Sequence, residues 1–292
     1  MIKRIITAVV CLAIFLPVLY FSGTDAGRII FPVLLMLLAV IGLYELFGCV
    51  GLRRKKSVTL PTYLFAILLM TVVIFFPNEK WTFTASVALC ALYMFYVLSR
   101  SLISCGNIRI GQVCEMIAVS FYIALGFLCI IKMRYTEFSD VVCSGKAVLG
   151  KYLFLLIFLG AWTTDTGAYF VGVFLGKHKL IPQVSPNKTV EGAFGGVIGC
   201  IVGYAVYGAV LSLFFDVSVN WLWLMLLAVI ISVVDQFGDL IFSYIKREHG
   251  IKDYGNLFPG HGGVLDRFDS IISIAPFVYF ITVLAPIQRF TV

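Results

Sequence analysis

The sequence predicts an all-α, polytopic membrane protein of about nine transmembrane helices, with its N-terminus on the cytoplasmic side. Three observations carry that reading. Of the 292 residues, 61% are hydrophobic and 13% charged, whereas a soluble domain carries about 25% charged residues. The mean hydropathy is +1.03. The apolar residues also fall into runs near the ~20 residues that a helix needs to cross a hydrocarbon core of about 30 Å.

The expected spans run Ile5–Tyr20, Ile29–Val50, Leu60–Phe76, Trp81–Leu98, Val113–Ile131, Tyr152–Leu175, Val190–Phe215, Trp221–Tyr244 and Ser270–Pro286. Lys3 and Arg4 ahead of the first give it the flank of a signal peptide. The following FSGTDAG offers no small-x-small cleavage site, so it reads as an uncleaved span. With the N-terminus inside, the inner loops hold Lys3, Arg4, Arg53, Arg54, Lys55, Lys56, Arg100, Arg109, Lys177, Lys179, Lys188, Lys246, Arg247, Lys252 and Arg267. The outer loops hold Arg28, Lys80, Lys132, Arg134, Lys146, Lys151 and Arg289. Fifteen against seven obeys the positive-inside rule, and it puts the loops 176–189 and 243–269 on one cytoplasmic face. The net charge of +7 sits in short loops beside apolar segments, which favours a membrane surface over nucleic acid.

Residues 1–150 read as a scaffold of about five helices and 151–292 as a catalytic region of about four. The Arg53–Lys56 cluster is a topology determinant and anionic-lipid contact. Glu45 and Glu115 lie near inner ends of spans, where they read as structural. The eight cysteines form no C-x-x-C pair and no zinc spacing, and they read as small buried hydrophobes. The 132–150 loop carries no motif.

Chemistry concentrates in the second half. Asp165 stands near the middle of the sixth span, where a carboxylate is costly unless paired, hydrated or metal-bound. Ser185, Pro186 and Thr189 precede the seventh span as a helix start, whose free N–H groups and dipole favour an anion, with Lys188 beside it. Glycines 192, 195, 196, 199 and 203 predict close helix packing, either within the chain or across a homodimer. Asp235 and Asp239, four residues apart, share one face of the eighth span, with Asp239 about 8 Å short of Tyr244 at 1.5 Å per residue. Two carboxylates in lipid demand cations, and a divalent metal in an oxygen shell with room for phosphate is the expected occupant.

The stretch 243–269 joins charge, glycine and proline: Lys246, Arg247, Lys252, Asp253, then Pro259, Gly260, His261, Gly262, Gly263, Asp266, Arg267 and Asp269. The three glycines allow backbone N–H groups to approach phosphate oxygens. Asp266 reads as a second metal ligand, and Arg267 as a bidentate phosphate contact. His261 reads either as a titrating participant or as a hydrogen-bonded loop histidine. Asp269 has the position of an N-cap for the last span.

The spacing Ser243, Lys246-Arg247, Lys252-Asp253, Gly255, Pro259-Gly-His-Gly-Gly, Asp266-Arg267, Asp269 resembles the signature of the phosphatidate cytidylyltransferases. TDTGAYFVGVFLGKHKL and SPNKTVEG resemble that family's other motifs, so the likeness covers most of residues 163–270 and looks bacterial in type. The resemblance implies transfer of the cytidylyl group of CTP to phosphatidate, giving CDP-diacylglycerol and pyrophosphate, with Mg²⁺ and room for a second cation. It implies Asp239 and Asp266 as metal ligands. Lys246, Arg247, Lys252, Asp253, His261 and Arg267 would act in catalysis, and Ser185, Lys188, Asp165, Asp235, Gly260, Gly262 and Gly263 in substrate binding. The location expected is the cell inner membrane with the site facing the cytoplasm, and membrane lipids are expected partners. A CTP-dependent polyprenol or lipid kinase shares this substrate logic. A cation-coupled transporter would instead spread its acids through the membrane depth.

Overall fold

Helix α1 (Gly27–Cys49) buries Phe31, Leu35, Ala39, Leu43 and Leu46, a stripe spaced by four and three residues along one face. That spacing gives an α-helix one packing side. The computed structural model describes residues 17, 21–76, 78–104, 107–135, 137–143, 146–215, 217, 219–258 and 262–284. After α1 come α2 (Lys56–Phe75), α3 (Glu79–Ile103) and α4 (Ile110–Tyr135). A hairpin of β1 (Glu137–Cys143) and β2 (Lys146–Leu149) leads to the one-turn α5 (Gly150–Leu153) and to α6 (Leu155–Leu175). A second antiparallel hairpin, β3 (Lys179–Ile181) and β4 (Ser185–Thr189), precedes α7 (Val190–Phe215). The chain then runs through α8 (Trp221–Glu248) and ends its described part in α9 (Leu265–Leu284).

Among the described residues, seven helical segments are long and apolar enough to cross a membrane: α1, α2, α3, α4, α5 with α6, α7 and α8. They coincide with seven of the expected spans. The first expected span, Ile5–Tyr20, lies outside the described residues except for Pro17. Helix α9 covers most of the last one and stands apart from the seven. The fold is a helical, multi-pass membrane architecture with two short hairpins. Those hairpins were not expected from the sequence, because strands of three to seven residues leave little periodic signal.

Described residues group into two compact units. In the unit drawn from Met1–Ile131 and Glu248–Phe268, Phe65 stacks on Tyr93 with ring centroids 4.2 Å apart. The Tyr93 hydroxyl lies 3.1 Å from that of Thr62. Helix α3 buries only Tyr93, Val97 and Ser101, one narrow face. Most of its other apolar side chains, Trp81, Phe83, Leu92 and Phe95 among them, stay exposed, as suits a helix bathed in lipid.

In the unit drawn from Lys132–Arg247 and Asp269–Val292, α6 and α7 pack along the expected glycine ridge. Gly195 lies against Val171 and the Gly167 carbonyl, Gly199 against Gly167, and Gly203 against Thr163. The glycines therefore serve packing within the chain, where a missing side chain lets two backbones meet. Tyr204 donates to the Leu156 carbonyl at 2.7 Å, and Tyr207 to the Tyr152 carbonyl at 2.7 Å. Replacing Gly195 with leucine should push the two helices apart and cost about 1–3 kcal/mol or more. Thermal unfolding in detergent should show the loss. Ile198→Leu, on the exposed face of α7, should leave the midpoint in place.

Candidate active site

The β3–β4 hairpin and the end of α8 build one polar cluster. Thr189 caps α7, its Oγ1 accepting the Gly192 N–H at 3.1 Å, so the expected helix start stands where the sequence put it. Glu191, in the first turn of α7, reaches back to the hairpin. Its carboxylate accepts the backbone N–H groups of Lys177 and His178 at 3.0 and 3.2 Å and meets His178 Nδ1 at 2.6 Å. The Val190 N–H adds a bond to the His178 carbonyl at 2.9 Å. The start of the hairpin is thereby tied to the helix that its second strand runs into, which holds Lys188 beside that terminus.

Lys188 Nζ lies 2.5 Å from Asp239 Oδ2, while Asp239 Oδ1 accepts from the Ser243 hydroxyl at 3.2 Å. Arg247 Nε donates to the Val184 carbonyl at 3.3 Å, a second tie between α8 and the hairpin. Lys246 is buried at 8% exposure, and Ser185 is half-buried.

Below this pair Asp235 is 1% exposed, and neither carboxylate oxygen has a hydrogen-bond partner. The Ser270 side chain approaches it without meeting hydrogen-bond geometry. The charges acting on it include Asp165 and Asp239, opposed by Lys188. Asp269 feels Asp239 and Asp165, opposed by Lys246. Asp165, Asp235, Asp239 and Asp269 thus share one electrostatic neighbourhood, with Lys188 and Lys246 among its counter-charges. Among the described residues no three His, Cys, Asp or Glu side chains converge as a closed metal cage. An oxygen donor set of one or two carboxylates around an orphaned buried acid fits Mg²⁺, which keeps water and substrate phosphate in most of its shell.

The other unit holds the loop that leads into α9. The Asp266 Oδ2 accepts the N–H groups of Tyr254 at 2.8 Å and Gly263 at 2.9 Å, folding the loop back on itself. Gly262 takes a φ of +86°, which favours glycine, and its carbonyl accepts the Phe258 N–H at 2.9 Å. Glu45, from α1, is 3% exposed and caps α9: Oε1 accepts from Val264 N–H and Oε2 from Leu265 N–H, both at 2.9 Å. A side chain at Gly255 or Gly263 would run into that carboxylate. Lys252, Asp253 and Arg267 are exposed, while Gly260 and His261 lie outside the described residues.

Two readings are sharpened here. Asp269 is not an N-cap: α9 starts at Leu265, four residues earlier, because Glu45 supplies the acceptors that the first turn needs. The Asp269 Oδ1 instead accepts the Ser270 N–H at 2.9 Å. Glu45 is structural, as its position suggested, but its partners lie some 220 residues away and no local pattern could have named them. His249 is half-buried with Nε2 at 2.7 Å from Glu115 Oε1.

The sequence model of the cytidylyltransferase family matches residues 2–285 of the chain. A phosphatidate cytidylyltransferase of Staphylococcus haemolyticus is 34% identical over 275 residues, 94% of this chain and 95% of the relative. The phosphatidate cytidylyltransferase of Bacillus subtilis is 32% identical over 291 residues, 97% of each chain. That of Staphylococcus aureus is 32% identical over 274 residues, 94% of this chain and 95% of the relative. Near-complete coverage at this identity, together with motif acids and bases gathered around one hairpin and one helix end, gives the assignment: the chain belongs to the cytidylyltransferase family.

Proposed function

We propose that the chain is a phosphatidate cytidylyltransferase, which joins the cytidylyl group of CTP to phosphatidate and releases pyrophosphate. The observation that carries it is the Lys188–Asp239 pair at a membrane helix end, in a chain that full-length relatives of that name match throughout. A phosphate oxygen of phosphatidate attacks the α-phosphorus of CTP. The new O–P bond forms as the bond from the α-phosphorus to the bridging oxygen breaks, and pyrophosphate leaves with that electron pair. No side chain needs to act as nucleophile, because the lipid brings its own.

Both reactants are anions, so the protein's work is positioning and charge neutralisation. Lys188, Lys246, Arg247, Lys252 and Arg267 are the bases assigned to phosphoryl charge, with Ser185, Gly260 and Gly262 offering hydrogen bonds to phosphate, while the Gly263 N–H is held by Asp266. Asp239 and Asp266 are the assigned ligands of Mg²⁺, with Asp165 and Asp235 completing its surroundings or those of a second cation. Bound there, Mg²⁺ would supply positive charge to the transferring and departing phosphates. Asp253 and His261 are assigned to the catalytic loop.

The same reading takes nine spans in all, with the N-terminus and the site on the cytoplasmic side of the cell inner membrane. It also takes residues 1–150 as scaffold and 151–292 as the catalytic region, with lipid as the surroundings. These rest on the segment pattern and the Lys/Arg asymmetry. Purified protein given CTP labelled at the α-phosphate, phosphatidate and Mg²⁺ should move label into the organic phase. Label confined to water-soluble CDP, with the γ-phosphate carried to a lipid, would make the protein a kinase instead.

A further inference from the structure

Lys252 and Asp253, both assigned to the reaction, stand exposed in a short stretch whose two flanks are pinned. On one side Tyr254 is 5% exposed, and its N–H donates to Asp266 Oδ2 at 2.8 Å. On the other side His249 meets Glu115 of α4, Nε2 to Oε1 at 2.7 Å, with the two side chains 21% and 27% exposed. A carboxylate only accepts, so Nε2 carries the hydrogen of this bond. The distance is that of a charge-assisted bond, roughly twice as strong as one between neutral groups.

Glu115 is itself held. Gln112, one turn earlier on the same face of α4, donates from Nε2 at 2.8 Å to the carbonyl of Val50, the C-cap of α1. Val113, Met116 and Ile117 around it are buried. Glu45, near that same end of α1, accepts the N–H groups of Val264 and Leu265, where the loop runs into α9. Two helices bonded to each other thus offer one carboxylate to the start of the loop and another to its end. All of these residues belong to the unit drawn from Met1–Ile131 and Glu248–Phe268. Ending α8 at Glu248 does not call for such a tie. Gly250, with a φ of +66°, already supplies the left-handed residue that closes a helix there. The His249–Glu115 bond, reaching across 134 residues of sequence, therefore serves the segment that follows. Without it Lys252 and Asp253 would hang from Tyr254 alone, and binding a ligand would have to order them, at a cost taken from affinity.

We propose that His249 and Glu115 are a positioning pair for the transfer reaction: their bond fixes residues 250–253 in advance, so that Lys252 meets the phosphates of CTP already in place. An exposed lysine on a loop is open to the water-soluble one of the two reactants. The role rests on the cytidylyltransferase reading above, and it falls to a histidine outside the assigned catalytic set.

Two substitutions at one position separate a bond from a space-filler. His249→Phe keeps a ring and removes the donor, whereas His249→Gln removes the ring and keeps a donor for Glu115. In mixed micelles with CTP, phosphatidate and Mg²⁺, His249→Phe should raise KM for CTP about fivefold, the scale of one net hydrogen bond. Its kcat and its KM for phosphatidate should stay within about twofold of wild type, because the cost falls on binding CTP and not on the chemical step. His249→Gln should return KM for CTP to near the wild-type value. Glu115→Ala should match His249→Phe, and the double variant should be no worse than either, since one bond is lost in all three. Hydrogen exchange of amides 250–253 in detergent should quicken in His249→Phe and Glu115→Ala and not in His249→Gln. A wild type that makes no CDP-lipid overturns the parent reading and this role with it. An active wild type whose His249→Phe variant keeps its KM for CTP, or loses kcat instead, overturns the positioning role alone. So does a harmless His249→Phe beside a damaged His249→Gln, which would make the ring a packing element, and so do additive losses in the double variant.

Discussion

Asp239→Ala should lower kcat by about 10²–10³, the scale seen when a group that organises transition-state charge is removed. The protein should remain folded, because Asp239 is half-buried at the end of α8 and its contacts are with Lys188 and Ser243. The expected loss has two parts. Truncation removes an assigned cation ligand, and it frees the Lys188 ammonium from the carboxylate that aims it. Lys188→Ala should therefore be nearly as damaging, and the double variant should be no worse than the more severe single one, since residues acting as one unit are strongly non-additive. Rates measured against Mg²⁺ concentration separate the two parts. A ligand role moves the Mg²⁺ dependence of Asp239→Asn to higher concentrations. A purely orienting role leaves that dependence in place and raises KM for phosphatidate. Full activity in Asp239→Ala would refute both.

How much of this arrangement was legible in the sequence follows from what each feature depends on. The spans were legible because bilayer thickness fixes helix length, and seven expected segments have helical counterparts of that length. Asp235 and Asp239 were placed on one face by their spacing alone. The glycine ridge of α7 announced close packing, yet not its partner, since Val171 and Gly167 of α6 could not be chosen over a second copy from sequence. The helix start at Thr189 was readable from its hydroxyl and the apolar run behind it. The hairpin that holds Lys188 was not, because its register depends on Glu191 reaching back to residues 177 and 178, a tertiary bond.

The longest link in the molecule gives the second large expected effect. Glu45→Ala should destabilise the protein by about 2–5 kcal/mol, the cost of leaving two buried N–H donors unsatisfied, and should take activity with it. Val264 and Leu265 would lose their acceptors at the first turn of α9. Asp266 and Arg267 follow them directly, so fraying that turn disperses the very side chains assigned to cation and phosphate. Glu45→Gln separates stability from geometry. The amide keeps one acceptor but turns a donor toward the second N–H, so about half of the destabilisation should remain. Gly263→Ala and Gly255→Ala attack the same carboxylate from the loop side, because a Cβ at either position meets it. Both should lower the thermal midpoint in detergent, and a Glu45→Ala background should soften their effect, since the clash then has no partner. Additive losses in those double variants would mean that the glycines serve the loop independently of Glu45. An unchanged midpoint for Glu45→Ala would show that water caps α9 as well as the carboxylate does.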